Sequence, residues 1–428
     1  MKSDIEFTDL VKIRAFQEEK LQEQLNYLYY SSPFYKKMFA ELDIHPQDIK
    51  TLDDLTVFPT TTKSDLQLFN QDFICVPKHE IIDYSSTSGT VGAPINFILN
   101  ESDLERLAYN EAISFSCAGI QPGDVVQLMT TIDRRFMAGL AYFLGLRNLG
   151  AGVIRAGAGV PDFQLDSIIS NKPKFLITVP SFLLKLIQRA EERGIELNNT
   201  SPVAAICIGE PLRNQDFSPL TLSKRINEKW DIELFSTYAS TEMSTAFTEC
   251  EAHRGGHEHP ELIITEILDE NNLPIQQGKM GELTITTLGV QGMPLLRYKT
   301  GDIVHKHSEK CTCGRASSRI GSVIGRKQQM IKYKGTTFFP LAIQEVLNGF
   351  NEVNGHIVEI STNKIGTDNV HVKVSSSNQS DDFLLLLSEG LRSKIRVTPN
   401  ISFISEGELN KLLMPTGNRK PKVIIDLR

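Results

Sequence analysis

One repeating alternation in the middle of the chain constrains its fold more than any other feature. Residues 174–179 (KFLITV) form an unbroken apolar run. Pro180 and Ser181 then open a stretch with helical period (SFLLKLIQRAEERG) that stops at Gly194, and residues 203–208 (VAAICI) form a second apolar run ending in GEP. Residues 125–129 and 150–154 fit the same pattern. Short apolar runs bounded by turn residues suit strands buried on both faces, and strands alternating with helices build a largely parallel, helix-covered sheet. The expected class is α/β. Residues 8–40 add an amphipathic helical lead-in, with Leu10, Ile13, Phe16, Leu21, Leu25 and Leu28 at its apolar positions.

The texture changes after Gly325. Residues 356–360 and 370–374 alternate with the two-residue period of half-exposed strands, between a helix at 341–350 and a leucine-rich helix at 381–394, and a strand at 400–404 follows. A β region at 262–287, with turn signals at DENN and QQGKMG, precedes this unit. For 428 residues we expect a large N-terminal domain of several helix-covered subdomains over residues 1–325 and a small α+β domain over 326–428.

Charge excludes some partners. With 45 Lys+Arg against 52 Asp+Glu, the net charge is −7, a poor match for nucleic acid or for an anionic membrane. The longest nearly apolar run, residues 136–146, is about half the length needed to span a bilayer. The first residues (MKSDIEFTDLVKIRAF) show neither an apolar core nor a small-residue cleavage site. The expectation is a cytoplasmic monomer or homodimer.

Six cysteines are too few for a disulfide scaffold. Cys75, Cys117 and Cys207 stand singly in apolar surroundings, as small buried hydrophobes do. Cys250, Cys311 and Cys313 fall in one window with His253, His257, His259, His305 and His307. A C-x-C turn (CTCG) and the CEAHRGGH loop together offer the soft and borderline ligands of a tetrahedral structural zinc site, with His253 and His257 both open as the fourth ligand.

Residues 85–94 (SSTSGTVGAP) combine hydroxyls and glycines in a loop whose N–H groups can wrap phosphate oxygens, without the Gly-Lys of a Walker loop. Three further segments follow in order: YASTE at 238–242, RYKTGD at 297–302, and Gly325–Arg326 followed by IKYKG at 331–335 and Pro340. Together with FPTTTKSDL at 58–66, this arrangement resembles the adenylate-forming superfamily of acyl and aryl ligases, and within it the phenylacetate–coenzyme A ligase family. The resemblance spans nearly the whole chain.

The resemblance implies an adenylate-forming N-terminal domain capped by a mobile C-terminal one, with ATP/AMP, Mg²⁺, coenzyme A and a structural Zn²⁺ as cofactors. Thr87, Ser88, Gly89, Thr90 and Gly92 would fold over the β- and γ-phosphates. Gly209, Glu210 and Pro211 would border the adenine, with Tyr238, Ala239 and Ser240 beside it. Thr241 and Glu242 would meet the α-phosphate and Mg²⁺, a hard cation that favours carboxylate oxygen. Asp302 would accept from the ribose hydroxyls and Arg326 would bear on the ribose or phosphate. The carboxylic acid substrate would lie near Phe136, Gly139, Tyr238 and Ala239. The family's metal pattern selects His257 to join Cys250, Cys311 and Cys313.

The chain departs from the family pattern at four places. Val91 and Ala93 replace a threonine and a lysine of the phosphate loop, Gln328 stands at the usual hinge aspartate, and Ala239 replaces a glycine. A gap-free match also puts Asn418 where the C-terminal catalytic lysine belongs, so Lys420 takes that role if two extra residues are accommodated, with Lys422 next. The expected activity is AMP-forming acid–thiol ligation to coenzyme A, with phenylacetate as default substrate. The alternatives are transfer to a carrier protein and a catalytically silent nucleotide- or acyl-binding protein of the same fold.

Overall fold

The computed structural model describes residues 4–87, 94–276, 278–362, 367–413 and 422–428. Asp9 caps α1 (Leu10–Ser31) by accepting from the Lys12 N–H, and Ser32 caps α2 (Pro33–Leu42), which has proline in its first turn. The lead-in expected over 8–40 is therefore two helices broken at Ser32. Thr62 caps the short helix α3 (Lys63–Leu68). The antiparallel strands β1 (Asp83–Ser86) and β2 (Asn96–Leu99) flank the Ser/Thr/Gly loop, and α4 (Glu101–Cys117) follows.

The alternating region then runs β3 (Val125–Leu128), α5 (Met137–Leu149), β4 (Gly152–Arg155), α6 (Pro161–Asn171), β5 (Phe175–Thr178), α7 (Pro180–Glu192), β6 (Ala204–Ile208), α8 (Thr221–Asn227), β7 (Glu233–Ser240) and β8 (Thr245–Thr248). These strands form one sheet in the order β4-β3-β5-β6-β7-β8, parallel except for the terminal β7–β8 hairpin. Side-chain alternation explains the double covering. Phe175, Ile177, Ala204, Ile206 and Ile208 pack with Phe115 of α4 and Leu146 of α5 on one face. Leu176, Ala205 and Cys207 pack with Leu165, Leu183 and Ile226 of α6, α7 and α8 on the other. Each large aliphatic side chain buried this way contributes roughly 1.5–3 kcal/mol. A one-residue slip would exchange the two faces, so the pattern also fixes register.

A second sheet holds β9 (Gly256–His257), β10 (Ile263–Leu268), β11 (Met280–Thr287), β12 (Tyr298–His307), β13 (Arg319–Ile320) and β14 (Gly325–Arg326), in the order β10-β11-β12-β13-β9 with β14 also on β12. The β region expected over 262–287 is thus the hairpin of β10 and β11. Leu21, Leu25 and Leu28 of α1 and Tyr35 and Phe39 of α2 share a core with Ile263 and Ile285 of this sheet.

The last segment has a core of its own. It comprises the hairpin β15 (Ile331–Tyr333) and β16 (Thr336–Phe338), then α9 (Pro340–Leu347), β17 (Val353–Thr362), β18 (Asp368–Ser376), α10 (Asp381–Ile395), β19 (Asn400–Phe403) and β20 (Ile424–Asp426). The sheet order is β19-β18-β17-β20. Ile343, Leu347, Val358, Ile360, Val372, Phe383 and Leu387 fill its interior. Among the described residues no helix is long and apolar enough to cross a membrane.

Among the polar contacts that tie this last segment to the rest, one caps a helix. The residue before α8, Leu220, offers no side-chain cap. Glu345 of α9 supplies the missing acceptor, taking the Thr221 N–H at 2.9 Å and its hydroxyl at 2.7 Å. Arg225 donates to the Asn348 carbonyl at 3.0 Å, and Lys327 pairs with Glu282 at 2.9 Å. Losing a helix cap costs about 1 kcal/mol, or roughly a five-fold shift in a local equilibrium. Glu345→Ala should therefore speed amide exchange at Thr221 and its neighbours about five-fold while leaving Leu387 protected as before. Unchanged exchange at Thr221 would show that the docking does not depend on this cap.

Candidate functional site

The loops after β3, β5, β6 and β7 leave the sheet at its carboxyl edge, where open parallel sheets bind ligands. Beyond β6, Gly209 adopts a left-handed φ of 77° and turns the chain outward. Glu210 then accepts from the Ser181 N–H and hydroxyl, both at 2.8 Å, which joins the turn containing Pro211 to the start of α7. Tyr238, Ala239 and Ser240 end β7 opposite Phe247, Ala246 and Thr245 of β8. Thr241 and Glu242 fall in the turn between the strands, both half-buried. That turn is braced internally: the Met243 N–H donates to Ser240 Oγ at 3.3 Å, and Ser244 takes a left-handed φ of 46°.

The second sheet brings an acid to this edge. Antiparallel pairing of β12 and β14 sets Asp302 opposite Arg326. The Tyr238 hydroxyl donates to Asp302 Oδ2 at 2.7 Å, and Arg326 Nε lies 3.4 Å from Oδ1. Burial pushes the Asp302 carboxyl above its usual range, against the opposing pull of Arg326 and Tyr238. Lys63, the first residue of α3, joins the cluster from another direction. The backbone of Thr61 pairs with β12 through Arg297 and Lys299, and this sets where α3 begins. Burial lowers the Lys63 ammonium pKa; Glu242 opposes that shift and Arg326 adds to it, so all three side chains share one field.

Thr87 closes the neck of the β1–β2 hairpin, its N–H donating to the Ile95 carbonyl at 3.0 Å and its Oγ1 accepting from the Ile95 N–H at 3.1 Å. Ser88, Gly89, Thr90 and Gly92 lie outside the described residues, as do Asn418 and Lys420. Phe136 precedes α5. Gly139 is buried in the first turns of that helix, where an added Cβ would overlap the Thr131 carbonyl oxygen, so only glycine fits.

Arg106 of α4 fixes the YASTE turn from behind. It is buried, and its guanidinium donates to the carbonyls of Leu288 at 2.7 Å, Ser244 at 2.5 Å and Leu262 at 2.6 Å, with Thr245 Oγ1 at 3.2 Å. One rigid fork thus satisfies carbonyls from three segments, a geometry no other side chain can supply.

Cys250, His257, Cys311 and Cys313 converge, with all donor atoms within 4.8 Å of one another. Gly256 makes this approach feasible, because a Cβ there would overlap the Phe247 backbone. Cys250 Sγ is 3.6 Å from Cys311 Sγ, and His257 Nε2 is 3.4 Å from Cys250 Sγ and 3.5 Å from Cys313 Sγ. Tetrahedral zinc with ordinary bond lengths demands about 3.8 Å between sulfurs and about 3.6 Å between sulfur and nitrogen. The donor set fits. Arg315 NH1 also donates to Cys313 Sγ at 3.5 Å, a contact that favours the thiolate form. His253 points elsewhere, with Nε2 2.9 Å from Glu233 Oε1.

No family model matches the chain. Among curated proteins, the phenylacetate-coenzyme A ligase of Thermus thermophilus is 30% identical over 372 residues, covering 86% of this chain and 82% of that one. The chain belongs to the phenylacetate–coenzyme A ligase family. A solved 2-hydroxyisobutyryl-CoA ligase in its postadenylation state, bound to 2-HIB-AMP, superposes with a TM-score of 0.87 at 22% identity over 99% of this chain and 91% of that one. The same ligase in its thioesterification state, with CoA also bound, superposes at 0.72, with 23% identity and the same coverage. These two structures share the fold of this family member.

Sequence reading brought Tyr238, Asp302 and Arg326 to one place but missed two members of the site. Lys63 stands inside the FPTTTKSDL segment, and a lysine among hydroxyls before an aspartate was the signal available. Arg106 left no signal, because an arginine in an amphipathic helix reads as solvated. Replacing it with methionine orphans the three carbonyls, each worth roughly 1–3 kcal/mol when buried without a partner. Arg106→Met should lower folding stability by about 3 kcal/mol or more and loosen the turn, and denaturant unfolding with amide exchange at Met243–Ala246 would measure both. A loss under about 1 kcal/mol would mean that other groups hold the turn.

Proposed function

We propose that this chain activates a carboxylic acid as its acyl-adenylate and transfers the acyl group to coenzyme A. The observation that carries the reading is the Tyr238–Asp302–Arg326 cluster beside the Thr241–Glu242 turn, in a chain with four curated relatives named phenylacetate-coenzyme A ligase. Asp302 presents paired acceptors to the ribose hydroxyls once Tyr238 turns to the adenine, and Gly209, Glu210 and Pro211 border the base. Thr241 and Glu242 face the α-phosphate and would hold Mg²⁺ by hydroxyl and carboxylate oxygen. Such an ion, when bound, neutralises phosphate charge.

The first step forms a bond from the substrate carboxylate oxygen to the α-phosphorus as the bond to pyrophosphate breaks. This chemistry needs alignment and charge neutralisation more than covalent help. Ser88, Gly89, Thr90 and Gly92, which follow Thr87 in sequence, would contact the outer phosphates. Lys63 adds positive charge near Glu242, which offsets the missing loop lysine at Ala93. Lys420 serves as the C-terminal lysine. In the second step the coenzyme A thiol attacks the acyl carbon and AMP leaves.

Residues 326–428 act as a cap that changes pose between the steps. The unequal TM-scores to two states of one ligase support a fold that can be caught in different arrangements. The hinge falls at Gln328, and on its cap side Arg428 donates to the carbonyls of Gln328 at 2.7 Å and Met330 at 2.8 Å. The acid lies near Phe136, Gly139, Tyr238 and Ala239, a setting suited to aryl or medium acyl groups with phenylacetate as the default. Cys250, His257, Cys311 and Cys313 would hold a structural Zn²⁺.

Labelled pyrophosphate should exchange into ATP only when a carboxylic acid is present. A folded, metal-loaded protein that exchanges with no acid across an aryl and aliphatic panel would be a silent binder instead. Full exchange with poor thioester yield on coenzyme A, rescued by a carrier protein, would move the acceptor to the carrier.

The raised pKa of Asp302 gives this reading a pH signature. Burial favours the protonated acid, which has one acceptor fewer for the ribose. Adenosine affinity should be full above the raised pKa and fall as pH drops through it, earlier than an ordinary carboxylate would allow. Asp302→Asn should abolish that acid limb and weaken binding at neutral pH by about ten-fold. A limb that survives the substitution, read by calorimetry, would place the titrating group elsewhere.

A further inference from the structure

The Cys₃His cluster is joined to a segment about 250 residues or more away in sequence. A helical turn, Ile5–Phe7, lies against the CTCG loop, with the Phe7 ring beside Gly314. Arg315 links the two. Its NH1 donates to Cys313 Sγ at 3.5 Å, its Nε donates to Glu6 Oε2 at 2.7 Å, and its guanidinium lies 4.9 Å from the centre of the Phe7 ring. The Ala316 N–H adds a bond to the Glu6 carbonyl at 2.7 Å. Glu6 is 1% exposed and Arg315 6%.

The other Glu6 oxygen meets His259 Nδ1, and His259 Nε2 lies 2.9 Å from Ser114 Oγ. This serine–histidine–carboxylate order imitates a hydrolytic triad, but Ser114 has no exposed surface and its hydroxyl also lies 3.2 Å from the Ala246 carbonyl. The arrangement is a tie between α4, the loop after β9 and the Ile5–Phe7 turn. Glu6 is therefore a two-oxygen clamp. Burial alone would raise its pKa, but His259 and Arg315 outweigh burial and keep it ionised.

Metal-binding histidines usually gain outer support through their second ring nitrogen. Here His257 Nδ1 is buried with no hydrogen-bond partner among the described residues. The outer support falls instead on the thiolate side, through Arg315.

We propose that Glu6 is the outer-sphere anchor of the metal centre, so that zinc occupancy and docking of the N-terminal segment are one linked equilibrium. The proposal rests on the zinc reading above. Zinc holds Cys313 as thiolate, the thiolate orients Arg315, and Arg315 presents its free edge to Glu6. By thermodynamic reciprocity, whatever docking adds to zinc affinity, zinc adds to docking.

The full-length protein should contain one zinc per chain, and Glu6→Gln should release it to pyridylazoresorcinol about ten-fold faster or more, the usual scale for outer-sphere losses. Arg315→Lys, which keeps the charge but cannot span both partners, should behave alike and serves where Glu6→Gln folds poorly. Stripping zinc from the wild type should raise amide exchange across residues 5–31. One zinc per chain that leaves wild type and both variants at the same rate would overturn the coupling alone. A chain that takes up no zinc would overturn the metal reading and the coupling together.

Discussion

A carboxylate at the junction of two sheets organises this protein. Asp302 belongs to β12, which pairs with β14 on one side, while Tyr238 reaches it from the edge of the parallel sheet. A buried carboxylate must be partnered or neutral, and the available partners lie on different elements. The tyrosine hydroxyl ties the sheets to each other. The more exposed Arg326 stands just before the segment that has a core of its own, so the acid links that junction to the YASTE turn.

That arrangement was partly legible in the sequence, and the limit has a physical origin. The strands β5 and β6 and the helix between them could be read because burial on both faces leaves an apolar run and amphipathic packing leaves a 3.6-residue period. The cysteine cluster could be read because thiolate ligands are few and conspicuous. The break at Ser32 was missed although Pro33 followed it, because the apolar period continues across the break. Arg106 and Glu6 were invisible for a different reason. Each is a charged residue in a segment that reads as amphipathic or solvated, and each is buried only because partners 138 to 309 residues away in sequence close over it. Local pattern cannot report such contacts.

Positive charge in the candidate site comes from two separate segments. Lys63 and Arg326 stand near Glu242 and Asp302. A lysine whose pKa is lowered by burial holds its proton less firmly than a surface lysine. Anionic phosphate would reverse that effect, so charge at Lys63 is strengthened by the ligand it would serve.

The Cys₃His cluster and the YASTE turn lie at opposite ends of one hairpin strand. β8 begins just after Ser244 and ends just before Glu249 and Cys250. Glu249 seals that end: its N–H donates to the Ser236 carbonyl at 2.9 Å, its carboxylate accepts from the Ser236 N–H at 2.9 Å, and Arg213 holds the same carboxylate at 3.2 Å. Arg106 holds the other end through the Ser244 carbonyl and Thr245. A four-residue strand clamped at both ends has little freedom to move its turn, and a functional side chain is only as well placed as the element that carries it. Glu249 at one end and Arg106 at the other therefore hold the strand that positions the Thr241–Glu242 turn.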